Sequence, residues 1–169
     1  MHLLDGECRA ADGTAAQANA TVDADFAGTV GNLTLAADYA GTITLARESL
    51  KIVGIYTQYA GTFTAGEHDI EIGAYVWGTC ASQVGTAQFL HYGGTFNAPA
   101  NGHMLSVWSS GSVLTFLNAG VWNHNDGTVR IGEAGWAANG YLYSTNRAYC
   151  NLTIAVSGSM NFAAIDSVE

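Results

Sequence analysis

Proline occurs once in 169 residues, lysine and arginine together occur five times, and charged residues of both signs make up only 11% of the chain. An average domain carries about 25% charged residues. The shortage is mostly of basic residues, and it leaves a formal net charge of −9. Counterion release, which drives proteins onto nucleic acid, would therefore work against this chain, and DNA and RNA are excluded as expected partners. The same sign disfavours anionic membrane surfaces, and no run of about 18 apolar residues is present to span a bilayer as a helix, so membrane insertion is not expected. A lone proline without a Gly-X-Y period excludes collagen. The three cysteines, Cys8, Cys80 and Cys150, are odd in number and far apart. They encode neither a disulfide framework nor a CxxC zinc site, and free, mostly buried thiols are expected, with a single long-range bridge left open in an oxidising compartment. The first residues, MHLLDGECRA, place Asp5 and no basic residue ahead of an apolar stretch, which does not read as a secretory signal. Either the chain stays where it is made or it is a piece of something longer.

What is abundant points elsewhere. Glycine occurs 21 times and 49% of the residues are hydrophobic, enough to bury a core and to exclude intrinsic disorder. The length predicts one domain. Helix formers are scarce and glycine interrupts every window long enough for a stable helix, so strand and turn should dominate. Ala10 to Ala20 is the best helical or capping segment, which divides the chain into a cap or leader over 1–20 and a repeat domain over 21–169.

One short phrase recurs: Phe26-Ala-Gly-Thr29, Tyr39-Ala-Gly-Thr42, Tyr59-Ala-Gly-Thr62, Tyr92-Gly-Gly-Thr95 and, degenerate, Asn118-Ala-Gly-Val121. Alternating apolar and polar residues follow it, as in Thr42-Ile-Thr-Leu45 and Thr62-Phe-Thr-Ala65, which is the period of a strand. A second phrase, Asn32-Leu-Thr-Leu-Ala36, returns as Asn151-Leu-Thr-Ile-Ala155. A third, Gly66 to Gly73, has a counterpart in Gly127 to Gly132. The aromatic phrases are 13, 20, 33 and 26 residues apart. A solenoid of fixed helix pairs does not tolerate that irregularity, whereas a coil of short strands absorbs it by enlarging loops, here expected around Ala74 to Gln88 and Trp136 to Tyr149.

A β-sandwich has no need of repeated phrases, whereas a parallel β-helix stacks equivalent positions of successive coils. The expected fold is therefore all-β: a right-handed parallel β-helix, a single-stranded β-solenoid with irregular coil lengths. Its inner row would be Ile43, Phe63, Phe96, Trp122 and Met160. The outer rows would be Thr42, Thr62, Thr95, Val121, Ser159 and Thr44, Thr64, Asn97, Asn123, Asn161. Over residues 21 to 162 the phrases Asn-Leu-Thr-Ile, Ala-Gly-Thr-Phe-Thr-Ala-Gly and Gly-Thr-Val-Arg-Ile-Gly resemble the right-handed β-helix repeats of bacterial surface adhesins and of phage fibre or tailspike shafts. The resemblance implies a structural or adhesive module of a virion appendage or surface filament, at a virion or cell surface. The open ends of such a solenoid expose unpaired backbone, so caps, flanking solenoid coils, or self-association into a trimer or filament are expected of the fold.

Four sets of residues are candidates for function. Asp69 and Glu71 flank Ile70 and would point the same way on a strand, roughly 7 Å apart, a separation compatible with paired-carboxylate sugar cleavage. With Glu67, and with His68 or His91, they define the enzymatic alternative, a polysaccharide-cleaving β-helix; the bland reading is solvated charge on a sheet face. Trp77, Trp136, Tyr141 and Tyr143, placed in the expected loops, are candidate glycan-facing aromatics, or else they fill the interior. The Thr/Asn ladder of Thr42, Thr44, Thr62, Thr64, Thr95 and Asn97 matches the Thr-x-Thr device of some ice-binding solenoids, or is an ordinary β-branched outer wall. His68, His91, His103 and His124 are scattered, so a zinc site would have to be assembled from distant coils, and neither a metal nor a cofactor is expected. No Gly-x-Ser-x-Gly elbow, phosphate loop or calcium-binding nonapeptide is present.

Overall fold

The computed structural model describes residues 20–22, 28–73, 87–108, 114–132, 140–144, 148–156, 158–163 and 167–168. Nineteen strands run through them. In chain order they are β1 (Ala20–Val22), β2 (Thr29–Val30), β3 (Leu33–Leu35), β4 (Thr42–Leu45), β5 (Leu50–Ile52), β6 (Ile55–Gln58) and β7 (Thr62–Gly66). There follow β8 (Ile70–Ile72), β9 (Gln88–His91), β10 (Thr95–Pro99), β11 (Met104–Val107), β12 (Leu114–Asn118) and β13 (Val121–Asn123). The last are β14 (Thr128–Ile131), β15 (Gly140–Ser144), β16 (Ala148–Tyr149), β17 (Asn151–Ile154), β18 (Met160–Ala163) and β19 (Ser167–Val168). There is no helix among the described residues.

Every third strand belongs to the same sheet. Face A is β1-β4-β7-β10-β13, face B is β2-β5-β8-β11-β14-β17 and face C is β3-β6-β9-β12-β15-β18, and neighbours pair in parallel throughout. The chain thus winds as a parallel β-helix with three faces per coil. β16 and β19 form a separate two-stranded sheet.

Alternation along each strand sends one set of side chains inward. On face A the register aligns Ile43, Phe63, Phe96 and Trp122. Phe63 stacks on Phe96 with ring centroids 5.4 Å apart, and Phe96 stacks on Trp122 at 5.1 Å. These separations follow from the spacing of about 4.8 Å between neighbouring strands, which leaves one ring per coil. Face C supplies a second aromatic row, Tyr56 on Phe89 at 5.1 Å and Phe89 on Phe116 at 4.7 Å. The two rows meet edge to face, as between Tyr56 and Phe63 at 82°. Aliphatic residues line face B, in the rows Leu50-Ile70-Leu105-Val129-Leu152 and Val30-Ile52-Ile72-Val107-Ile131. Each fully buried large side chain contributes about 1.5–3 kcal/mol, and only stacking on neighbouring coils buries it.

The turns between faces rest on glycine. Gly94 has φ +77°, and a Cβ there would lie 2.5 Å from the carbonyl oxygen of Gly61 in the coil before, so a side chain is excluded by backbone angle and by space alike.

Several sequence expectations shift in register. Thr42, Thr62, Thr95 and Val121 align on face A, but Thr29 lies in β2 on face B. The first copy of the phrase therefore leads into a different face from the others, so its spacing of 13 is a step between faces. Met160 does not continue the inner row of face A: it begins β18 on face C, opposite Gly140, and Tyr149 packs against Trp122 instead, with centroids 5.4 Å apart. Ser159 and Asn161 leave the outer rows with it. The two Asn-Leu-Thr phrases are not equivalent either, since β3 lies on face C and β17 on face B. Alternating apolar residues suit any face, so the phrase alone carries no register. Gly66 to Gly73 and Gly127 to Gly132 do correspond, both delivering strands of face B. The expected loop from Trp136 to Tyr149 contains β15 and β16. The proposed cap at Ala10 to Ala20 lies, apart from Ala20 itself, outside the described residues, as do Cys8 and Cys80; Cys150 is a half-buried free thiol.

Candidate functional site

Outward positions of face B form a concave surface. Register places Lys51, Glu71, Ser106, Arg130 and Thr153 in one outer row. Asp69, Ile70, Glu71, Met104, Ser106, Trp108 and Arg130 line a cleft of about 400 Å³ there. Trp108, the residue directly after β11, lies against Glu71 of β8 in the neighbouring coil. The indole Nε1 donates to Glu71 Oε1 at 3.1 Å, and Lys51 Nζ lies 3.8 Å from Glu71 Oε2. Asp69 Oδ1 accepts the backbone N–H of Met104 at 2.8 Å and lies 3.4 Å from His103 Nδ1. Both carboxylates are thus fixed by groups on an adjacent coil, and the cleft offers acceptors, a guanidinium, a hydroxyl and an indole together.

The structure brings Asp69 and Glu71 to this one site, but not the rest of the enzymatic set. Glu67 is exposed at the corner before β8 and does not line the cleft, and His68 does not line it either. His91 is fully buried on the inner side of face C, where it can touch no polymeric substrate.

Tyr141 and Tyr143 lie on β15, not in a loop, and both point outward, stacked on one another with centroids 5.9 Å apart and planes 6° from parallel. Trp77 and Trp136 lie outside the described residues. A further exposed pair, Tyr59 and Tyr92, stacks at 5.1 Å across successive coils. The outer rows of face A hold Thr42-Thr62-Thr95-Val121 and Thr44-Thr64-Asn97-Asn123. Asn97 Nδ2 donates to Thr64 Oγ1 at 2.9 Å, and Asn123 Nδ2 donates to Asn97 Oδ1 at 2.7 Å. These amides are committed to one another along the column.

Sequence reading missed a buried polar row at the corner between faces C and A. Gln58, His91, Asn118 and Ser144 occupy equivalent positions on β6, β9, β12 and β15, and all are buried. Tyr56 Oη donates to Gln58 Oε1 at 2.7 Å, and Gln58 Nε2 donates to the carbonyls of Gly61 and Thr95, each at 3.1 Å. His91 Nδ1 lies 2.8 Å from Asn118 Oδ1, an acceptor, which puts the ring proton on Nδ1. Asn118 Nδ2 donates to Tyr149 Oη at 3.3 Å, and that hydroxyl lies 2.6 Å from Ser144 Oγ. The signal was a polar residue just before each turn, in Gln58-Tyr59 and His91-Tyr92. Asn118 belongs to that polar position; the degenerate phrase set it beside the tyrosines because its corner is one residue shorter.

Compared with known proteins, the chain matches no family model, no curated protein and no solved structure. Its class rests on its own coordinates, and that class is the parallel β-solenoid.

Proposed function

We propose that this chain is a non-catalytic adhesive module of a surface filament or virion appendage, and that the cleft on face B receives a sugar unit of a surface glycan. The observation that carries this reading is the convergence of Asp69, Glu71, Ser106 and Arg130 beside the indole of Trp108 in one cleft of about 400 Å³. Pockets of this size hold small ligands, and a few placed polar groups beside an aromatic wall match the hydroxyl-rich edges and apolar faces of a pyranose ring. The column supports such a role by presenting the cleft on a stacked core. The stacked tyrosines on face C and at a corner add exposed aromatic surface away from the cleft. Self-association into a trimer or filament, or continuation into flanking coils, belongs to the same reading, because open coil ends expose strand edges.

Asp69 and Glu71 in one cleft favour a second reading, cleavage of an acidic polysaccharide. Against it, both oxygens of Glu71 have protein partners and Asp69 is held by a backbone N–H. Binding to an array of neutral and acidic glycans, repeated with Trp108→Ala, tests the first reading. It expects at least one glycan class bound and a loss of about tenfold or more in the variant; no binding, or binding indifferent to Trp108, overturns it. New reducing ends released by the wild type and not by Asp69→Asn would establish the second.

A further inference from the structure

At the corner between β13 and β14 the chain makes a tight turn, His124-Asn125-Asp126-Gly127. Asn125 and Asp126 both adopt left-handed backbone, at φ 48° and 61°, and Gly127 N–H donates to the His124 carbonyl at 3.1 Å. The turn is pinned from below, where Asn125 Nδ2 donates to the Ala98 carbonyl at 2.9 Å. It presents His124 and Asp126 on one side, with Nδ1 and Oδ1 3.4 Å apart. One coil further on, Cys150 precedes β17, whose first residue Asn151 pairs with Thr128. One ligating atom from each of His124, Asp126 and Cys150 lies within 4.8 Å of the others.

We propose that His124, Asp126 and Cys150 form a site for a borderline divalent cation of the zinc type, with the remaining coordination position left to water. The donor set of one imidazole, one carboxylate and one thiolate suits zinc, which takes N, O and S ligands at about 2.0–2.3 Å in tetrahedral geometry. Ligand atoms around such an ion sit roughly 3.5 Å apart, so only small rotations of the exposed Asp126 and the partly buried His124 and Cys150 side chains are needed. Asp126 N–H donates to His124 Nδ1 at 3.1 Å, which holds the imidazole against the turn. Asn151 Nδ2 donates toward Cys150 Sγ at 3.6 Å, so the sulfur is already oriented by a neighbouring side chain.

The location gives the ion a purpose. Among the described residues the ladder of face A ends at β13, and β16 pairs with β19 instead of joining it. His124 and Asp126 follow β13 and Cys150 follows β16, so a bound cation would tie together two coils at the corner where their backbone pairing on this face stops. The sequence hides the site because its ligands are 24 residues apart and only coil stacking joins them.

Cobalt(II), added to metal-free full-length protein, is the probe. One equivalent should give the thiolate-to-cobalt charge-transfer band and tetrahedral d–d absorption, and zinc should displace it. Cys150→Ser should abolish the charge-transfer band, and His124→Ala should weaken binding by about tenfold or more. A Cys8→Ser/Cys80→Ser variant should retain the full signal. Far-UV circular dichroism of the metal-free variants separates lost ligation from lost fold. The site is overturned by the absence of a stoichiometric thiolate band in the wild type, or by a band that survives Cys150→Ser.

Discussion

Gly120 and His91 share one corner of the solenoid: a Cβ on Gly120 would stand 2.2 Å from His91 Nε2. The corner that carries Gly120 is a residue shorter than those in the two preceding coils, and the imidazole from the coil before fills the room a side chain would take. Gly120→Ala should therefore destabilise the fold by about 1–3 kcal/mol, as overpacking of a dense interior does. Urea denaturation monitored by tryptophan fluorescence measures it. A neutral result would mean that the buried polar row yields easily.

Phe96 lies between Phe63 and Trp122 and is completely buried. Phe96→Ala should cost about 3–5 kcal/mol. Because each coil supports only its neighbours, the loss should broaden the transition, separating coils before Phe96 from those after it. Hydrogen exchange resolved along the chain would reveal two units in the variant; uniform loss of protection would contradict the picture of nearest-neighbour support.

Burial pushes the Tyr56 hydroxyl well above the usual tyrosine range, since a phenolate there would lose its hydration. The folded chain then keeps a proton that the unfolded chain releases above about pH 10. Stability from this group is complete below that pH and falls as pH rises further, because the unfolded state binds fewer protons. Tyr56→Phe should flatten the alkaline slope while costing about 1–3 kcal/mol at neutral pH, where Gln58 Oε1 loses its donor. Urea midpoints from pH 7 to 11 test both effects; an unchanged slope would assign the alkaline loss elsewhere.

Asn97 links Thr64 to Asn123 through its side chain. Asn97→Ala should cost about 1 kcal/mol and leave the fold intact. With these amides bonded to each other and Val121 interrupting the threonine row, the face should show no thermal hysteresis. Hysteresis abolished by Thr64→Tyr would restore the ice-binding reading.

The stacking of face A was legible because a ring, a glycine turn and two threonines recur together, and each part has a separate physical reason to sit where it does. Register on the other faces was not legible. Asn-Leu-Thr and Gly-Thr fit any corner or strand, so Thr29 and Asn151 fell on faces different from their look-alikes. Met160 was aligned by its neighbours Ser159 and Asn161, although Tyr149, embedded in a stretch read as loop, fills that place in the core. Asp69 and Glu71 were found from strand alternation alone. Trp108, Ser106 and Arg130 join them only through coil stacking, which no local spacing reveals.

Successive coils of face A start 20, 33 and 26 residues apart, at Thr42, Thr62, Thr95 and Val121, yet the rings inside remain in contact from rung to rung. Added length is accommodated between strands and leaves their pairing untouched. The architecture thus separates two kinds of change. Substitutions in the strands alter cohesion, while insertions between them decorate the shaft, so new recognition segments can be spliced into a corner without re-optimising the interior.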